Sequence, residues 1–114
     1  MFEIIYGQVP SKSNCYRFGN GKVYKAEHLV QYEKDFQKQC VKYRNKNIDT
    51  NFGLHVKVFY KDKRSDLDNS LKVILDCLQK CGAIRNDNKC MRIVAYRYID
   101  KVNPRIEYEL MIID

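Results

Sequence analysis

The chain has 114 residues, 45% of them hydrophobic, which is enough for one compact domain with a modest core. Twenty-one Lys and Arg against fourteen Asp and Glu give a formal net charge of +7, which favours a polyanionic partner such as nucleic acid. Judged by charge alone, it is equally open that this basic protein has no such partner. No apolar run is long enough to span a membrane, and the N-terminus lacks a signal-peptide pattern. We therefore expect a single cytoplasmic domain over residues 1–114 with no membrane contact.

The first half of the chain predicts a strand, a hairpin and a helix. Within residues 2–9, Phe2, Ile4 and Tyr6 alternate with Glu3, which is typical of a half-buried strand, and Pro10 ends it. The turn residues at 19–21 then indicate a short hairpin. Over residues 26–46 apolar positions recur every three or four residues, which predicts a helix. The lysines at 34, 38 and 42 could follow a phosphate backbone, although a solvated helix face gives the same pattern.

The second half predicts a strand over residues 54–60, a second helix with an apolar stripe ending near Gly82, and strands over 90–99 and 105–113. The order strand, hairpin, helix, strand, helix, strand, strand suggests an α/β (α+β) fold. Its mixed sheet would carry two helices on one face.

Five cysteines are an odd number without a CxxC motif, and only two histidines could join them as zinc ligands. Cys77 and Cys81 are four residues apart on the second predicted helix, which is a weak zinc pattern without a second pair. We expect the cysteines to be small buried hydrophobic residues in a reducing compartment.

A pair of aspartates stands at the start of the second predicted helix. In one interpretation they are structural, because Ser65 and Asp68 match a capping box and Lys72 is spaced for ion pairs with Asp68 and Asp76. In the other, Asp66 and Asp68 act together. Their side chains would point about 200° apart on a regular helix but the same way in an extended segment, so this requires a helix that begins at or after Asp68.

Two converging carboxylates repel each other unless a cation lies between them, and oxygen ligands favour Mg²⁺ or Mn²⁺. A third candidate ligand, Asp87, lies in the polar turn at residues 85–89. That turn also fits an ordinary loop rich in turn-forming residues.

The segment Asp66-Leu67-Asp68-Asn69, followed by Lys72, Asp76 and then Asn86-Asp87, closely resembles the motifs of the RusA family of Holliday-junction resolvases. The segment Pro10-Ser11-Lys12-Ser13-Asn14-Cys15-Tyr16-Arg17 is similar to the N-terminal loop of that family. The resemblance covers most of the chain, and the first helix contributes least to it.

The resemblance implies a RusA-like fold and a homodimeric, Mg²⁺-dependent endonuclease, with Mn²⁺ as the alternative metal. It would make paired symmetric nicks across a four-way DNA junction, in recombination and repair, in the cytoplasm of a bacterium or from a phage genome. The metal-binding catalytic aspartates would be Asp66, Asp68 and Asp87, and the essential lysine Lys72. Family members often carry paired acids in the late turn, whereas Asn86 and Asn88 flank Asp87 here. The metal affinity or preference could therefore differ.

The remaining candidate residues follow from position. Lys72, one turn beyond Asp68, could bind the scissile phosphate, and Asn69 could orient a ligand or a water molecule, or belong to the helix end. Tyr16 could stack on an unpaired base or pack on the sheet. The candidates for DNA contact are Lys12, Asn14, Tyr16 and Arg17 in the N-terminal loop, and Lys61, Lys63 and Arg64 before the motif.

The position of Asp87 is demanding. A helix from Asp68 to about Cys81 carries the chain about 20 Å away, and the six steps to Asp87 return at most about 20 Å. Either the helix ends early or tilts, or Asp87 completes the site of another subunit, and we favour a site within one subunit. Two other functions remain open: a nuclease with a broader range of branched substrates, and a basic module that binds branched nucleic acid without catalysis.

Overall fold

The computed structural model describes residues 2–11 and 15–113, so the predictions made for Lys12 and Asn14 lie outside the described residues. The elements in chain order are β1 (Glu3–Tyr6), β2 (Tyr16–Gly19), β3 (Lys22–Lys25), α1 (Glu27–Gln39), β4 (Phe52–Tyr60), α2 (Leu67–Lys80), a 3₁₀ helix (Asp87–Lys89), β5 (Cys90–Ile99) and β6 (Arg105–Ile112). This order confirms the predicted succession of strands, hairpin and helices.

Four strands form a mixed sheet in the order β1-β6-β4-β5, and β2 pairs with β3 as a separate hairpin. Strands β4 and β5 are parallel, whereas β6 is antiparallel to both β1 and β4. Two parallel neighbours need a crossover connection, and α2 is that connection. In the parallel register Phe52 pairs with Cys90 and Tyr60 pairs with Ile99. The chain therefore leaves β4 at one end of the sheet and enters β5 at the other.

The core lies between the two helices and one face of the sheet. Alternate residues of β4, from Phe52 to Tyr60, are buried on that face, as the alternating pattern predicted. Helix α1 contributes Leu29, Tyr32 and Phe36, and α2 contributes a stripe that includes Ile74 and Leu78. Each fully buried aliphatic side chain contributes about 1.5–3 kcal/mol, so this stripe holds α2 on the sheet.

Helix α1 is shorter than predicted. The expected helix reached residue 46, but α1 ends at Gln39 and Cys40 is extended, with φ −75° and ψ 91°. Asn45 and Asn47 have positive φ values of 60° and 50°, which a right-handed helix does not allow. The Arg44 guanidinium donates hydrogen bonds to main-chain carbonyls of the last turn of α1 and so satisfies acceptors that the helix leaves open. The predicted helix was too long because the spacing of apolar residues continues beyond Gln39, where the backbone leaves the helical conformation.

The five cysteines are free, and four of them are buried, which confirms the prediction of small core residues for those four. Cys90 is partly buried and packs against the core. Cys40 and Cys81, at the C-terminal ends of the two helices, bring their Sγ atoms to 3.0 Å. Neither helix of the described residues combines the length and the apolarity that a membrane span needs.

Strand β5 is an edge of the sheet, and within residues 2–11 and 15–113 its outer side pairs with no other strand. It has ten residues, and five of its large apolar side chains are at least 40% exposed. They are Met91, Ile93, Tyr96, Tyr98 and Ile99. A long edge strand with exposed apolar side chains is a surface on which another strand can pair.

Candidate active site

Asp66 and Asp68 lie where the chain passes from β4 into α2. Asp66 precedes the helix and is extended, with φ −92° and ψ 137°, while Asp68 lies in the first helical turn. Helix α2 thus begins at Leu67. The expectation was that a joint role of Asp66 and Asp68 requires a helix that begins at or after Asp68, so the helix begins one residue earlier than expected. The helix has no side-chain cap, although Asp66 occupies the N-cap position. Capping by a hydrogen bond therefore does not explain why an aspartate stands there.

A buried hydroxyl pair supports this end of the helix. Tyr60, the last residue of β4, donates a hydrogen bond of 2.6 Å to Ser70 Oγ and contacts the Asp66 carbonyl oxygen at 3.4 Å. Burial raises the pKa of the Tyr60 hydroxyl, the bond to Ser70 lowers it, and the nearby charges of Asp66 and Asp68 raise it. This hydroxyl pair was not predicted, because nothing in the local sequence pattern distinguishes Tyr60 or Ser70 from ordinary core residues.

The three predicted metal ligands share a property that other aspartates lack. Within residues 2–11 and 15–113, the carboxylates of Asp66, Asp68 and Asp87 accept no hydrogen bond and form no ion pair. Four other aspartates are engaged by a neighbouring cation or amide, namely Asp35, Asp49, Asp62 and Asp100. The exposed Lys72 likewise makes no ion pair with any described residue, so the predicted pair with Asp68 does not form.

A polar pocket of about 320 Å³ opens beside Asp66. Its lining includes the predicted residues Lys61, Arg64 and Asn69. Gln8 and Ser11 also line it, and Gln8 Oε1 accepts a 2.9 Å hydrogen bond from the main-chain N–H of Lys61. The N-terminal segment therefore forms one wall of the pocket. DNA contact was predicted for this segment, but Gln8 and Ser11 were not among the candidate residues.

The cations around the pocket are partly neutralised. Arg64 binds Asp62 through two side-chain nitrogens, at 2.8 and 3.2 Å, and this contact lowers the pKa of the Asp62 carboxyl. Lys61 and Lys63 are exposed. Arg97 of β5 adds a cation that was not predicted, and it donates a 2.7 Å hydrogen bond to the Lys63 carbonyl. Only the register of β5 against β4 brings this arginine to the motif.

Tyr16 and Arg17 lie on β2 and do not line the pocket. Their hairpin nevertheless begins near it, because Cys15 Sγ donates a hydrogen bond of 2.9 Å to the carbonyl of Ser11, which does line the pocket. Both side chains are exposed.

Asp87 lies at the opposite end of α2. Its main-chain N–H donates to Gln79 Oε1 at 3.3 Å, which places it beside the last helical turn. Gln79 is eleven residues beyond Asp68, which corresponds to about 16 Å along the helix axis. Among the described residues no three acidic, histidine or cysteine side chains are grouped so that they could hold a metal ion. The expectation of a complete three-aspartate site within one chain is therefore wrong. Helix α2 continues to Lys80, and the loop that follows it brings Asp87 back only as far as Gln79 in the last helical turn.

The pair at the start of α2 suits a divalent cation by itself. Protein sites for Mg²⁺ commonly use one or two carboxylates, with water molecules and substrate phosphates completing the coordination. Asp66 and Asp68 are exposed and carry no competing partner among the described residues. One chain can therefore supply two such ligands, whereas its own Asp87 lies too far away to supply a third.

Comparison with known proteins identifies the family of this chain. The family described as endodeoxyribonuclease RusA matches residues 7–111. A crossover junction endodeoxyribonuclease RusA from Aquifex aeolicus (strain VF5) is 26% identical over 95 residues, which cover 82% of this chain and 75% of the relative. The matched region contains both aspartates at the start of α2, the lysine one turn further on and the distant Asp87. The chain therefore belongs to the RusA family of endodeoxyribonucleases and is a nuclease.

Proposed function

We propose that this protein is a Mg²⁺-dependent, structure-selective endodeoxyribonuclease that resolves four-way Holliday junctions by paired symmetric nicks in DNA recombination and repair. The observation that carries the proposal is that the three predicted metal ligands have no hydrogen-bond or ion-pair partner among the described residues. Asp66, Asp68 and Asp87 are unpaired among the described residues, although the chain carries seven more basic than acidic residues. Unpaired carboxylates in so basic a protein are expected where a cation binds. The Aquifex relative is named a crossover junction endodeoxyribonuclease, which supports the choice of a crossover junction as substrate.

The residues of this chain have distinct parts in the reaction. Asp66 and Asp68 hold the cation, with Mn²⁺ as the alternative to Mg²⁺; endonucleases of this kind generally use a divalent metal. When bound there, the ion supplies positive charge to the phosphate and lowers the pKa of a coordinated water. Lys72 lies one turn beyond Asp68, where its ammonium group can bind the same phosphate. Asn69 lines the pocket and can donate a hydrogen bond to a phosphate oxygen or a water.

The third carboxylate leads us to infer a homodimer. Asp87 precedes β5 and Asp66 follows β4, so these residues belong to opposite ends of two parallel strands. If two copies pair antiparallel along their free β5 edges, the start of one β5 lies beside the end of the other. Asp87 of the partner subunit then approaches the end of the sheet at which Asp66 and Asp68 stand. Each dimer would carry two such sites related by a twofold axis, which suits two symmetric nicks.

The exposed apolar side chains of β5 support this arrangement. Five large apolar residues at an unpaired edge are costly in water and favourable at an interface between copies. Two protomers that each carry a net charge of +7 repel each other at low salt, so the interface must be apolar or hydrogen-bonded where it forms. Such a dimer also provides a broad positive surface for a branched polyanion. Five free thiols are compatible with action in a bacterial or phage-infected cytoplasm.

Cleavage of a synthetic four-way junction tests the proposal. Native protein with Mg²⁺ should give paired nicks at symmetric positions on a sequencing gel, and Asp68→Asn should give none while still binding the junction. Asp49→Asn is a matched control, because Asp49 pairs with Arg85 and is not among the predicted ligands. Equal cutting of flaps, forks and junctions would instead indicate a broader nuclease. Tight binding without cutting in Mg²⁺ or Mn²⁺ would indicate a binding module.

A further inference from the structure

A concavity lined by basic side chains lies at the opposite end of α2 from Asp66. It has a volume of about 490 Å³, and we call it the helix-end pocket. Helix α1 supplies Lys34 and Lys38, the following loop supplies Arg44, and the last residue of α2 supplies Lys80. The amides of Gln37 and Asn45 also line it. A solvated helix face spreads its charges over one convex surface, whereas here cations from three segments surround one depression.

The charge of the helix-end pocket remains positive after its internal partners are counted. Glu33 accepts ion pairs from Lys80 and from Lys25, so it offsets part of this charge. The C-terminal ends of α1 and α2 together contribute about one negative charge as helix dipoles. Four lining cations, less Glu33 and these dipoles, leave about two net positive charges. The pocket is therefore suited to an anion.

Two of the lining cations are available to a ligand. Within residues 2–11 and 15–113, the ammonium groups of Lys34 and Lys38 form no hydrogen bond and no ion pair. Arg44 uses one terminal nitrogen to donate to the end of α1, which fixes its position and leaves other donors of its guanidinium group. This combination of a fixed guanidinium and free ammonium groups is typical of phosphate recognition.

The lining also indicates what kind of phosphate binds. None of the described residues that line the helix-end pocket is aromatic, so they offer no surface on which a nucleobase could stack. Contacts to a nucleic-acid backbone need only phosphates, and junction recognition depends mainly on such contacts. The pocket therefore fits a backbone phosphate better than a nucleotide.

We propose that the helix-end pocket binds a backbone phosphate of a DNA arm, a second contact that supplements the carboxylate site. This inference rests on the proposed function, because it takes branched DNA as the substrate. Helix α2 has 14 residues and therefore spans about 21 Å between the two sites. At about 3.4 Å per nucleotide step, DNA that follows the helix meets the pocket about six nucleotides from a phosphate bound at Asp66 and Asp68 of the same subunit. The lysines of α1 hold that arm.

The test measures binding separately from cutting. Lys34→Gln and Lys38→Gln are placed in the Asp68→Asn background, and the affinity for a four-way junction is measured between 50 and 200 mM salt. Each variant should reduce the salt slope of log K by about 0.9 and weaken binding several-fold at 0.1 M salt. Lys57→Gln is the matched control, because Lys57 lies over the Phe2 ring at 5.0 Å on the opposite face of the sheet. The replaced lysines of α1 are exposed, so the core is unaffected.

Each outcome decides the assignment. Unchanged slopes in both α1 variants, or an equal loss in Lys57→Gln, would overturn it. A thermal shift with inorganic phosphate that disappears in Lys34→Gln, without any change in junction binding, would assign the pocket to a free anion and also overturn it. Cleavage by the native protein with unchanged slopes would refute the pocket alone. Reduced slopes in a protein that never cuts would refute the proposed function alone.

Discussion

Mixed dimers give the sharpest test of the proposal that two subunits share each active site. Asp68→Asn removes one of the two carboxylates at the start of α2, and Asp87→Asn removes the carboxylate about 16 Å away along the helix. Both side chains lack partners within the described residues and lie at the surface or half-buried, so neither substitution should disturb folding. Each homodimer should be inactive. Co-expression with two different affinity tags allows the mixed dimer to be purified.

The arrangement of the dimer determines the result. If Asp87 serves the partner subunit, one site of the mixed dimer carries both substitutions and the other carries none. The purified mixed dimer should then retain about half of the native nicking sites and make single nicks instead of paired ones. A random, unpurified mixture contains about half mixed dimers and should show about a quarter of the native sites.

A junction labelled on each strand in turn, with Mg²⁺ present, distinguishes the two arrangements on a sequencing gel. If all ligands came from one chain, both sites of the mixed dimer would be defective and no nick would appear. Complete inactivity of the purified mixed dimer, together with normal junction binding, would therefore refute the shared site. Activity in the Asp87→Asn homodimer would refute the role of Asp87 altogether.

Three further predictions concern stability and the thiols. Tyr60→Phe leaves the buried Ser70 hydroxyl without its 2.6 Å partner and should lower the free energy of unfolding in urea by about 1–3 kcal/mol. Gly82→Ala forces a side chain onto a backbone with φ +76° and should cost more than the roughly 1–2 kcal/mol of the conformation alone, measured in the same way. Diamide, which removes two electrons and two protons from a thiol pair, should join Cys40 to Cys81. Their Sγ atoms lie 3.0 Å apart, and the hydrogen bond between them lowers the pKa of Cys81. Peptide mapping would detect the bond, and the loop it closes should add about 4 kcal/mol of stability.

Each of these predictions has its own control. For Tyr60, the double variant that also carries Ser70→Ala should lose less than the sum of the single losses, and strict additivity would contradict the hydrogen-bond argument. For Gly82, the control is Gly21→Ala, since Gly21 has φ +73° with nothing within 4 Å of an added Cβ. A Cβ added at Gly82 would lie 2.8 Å from Asn45 Oδ1, so equal losses at the two glycines would show that this contact costs nothing. Cys40→Ser must abolish the mapped crosslink, and a bond from Cys81 to another cysteine would contradict the pairing.

Local periodicity was enough to predict most of the elements. The alternation in β4, the bounds of β5 and the left-handed residue after α2 all follow from which side chains must be buried and which backbone conformations Gly82 permits. The spacing of Asp66, Asp68 and Lys72 likewise needs no tertiary information, because it lies within two turns of one helix. Family membership followed from the same short segment, and the match over residues 7–111 confirmed it.

Only the tertiary structure decided where the remaining chemistry lies. Asp87 could not be placed from the sequence, because its distance from Asp66 depends on how far α2 runs and where the chain turns back. The Tyr60–Ser70 hydroxyl pair and the convergence of Lys34, Lys38 and Lys80 join residues that are distant along the chain. A periodic pattern reports which face of one element is buried. The packing of the helices on the sheet determines which exposed groups of different elements meet, and for this protein that packing separates Asp87 from the other two predicted metal ligands.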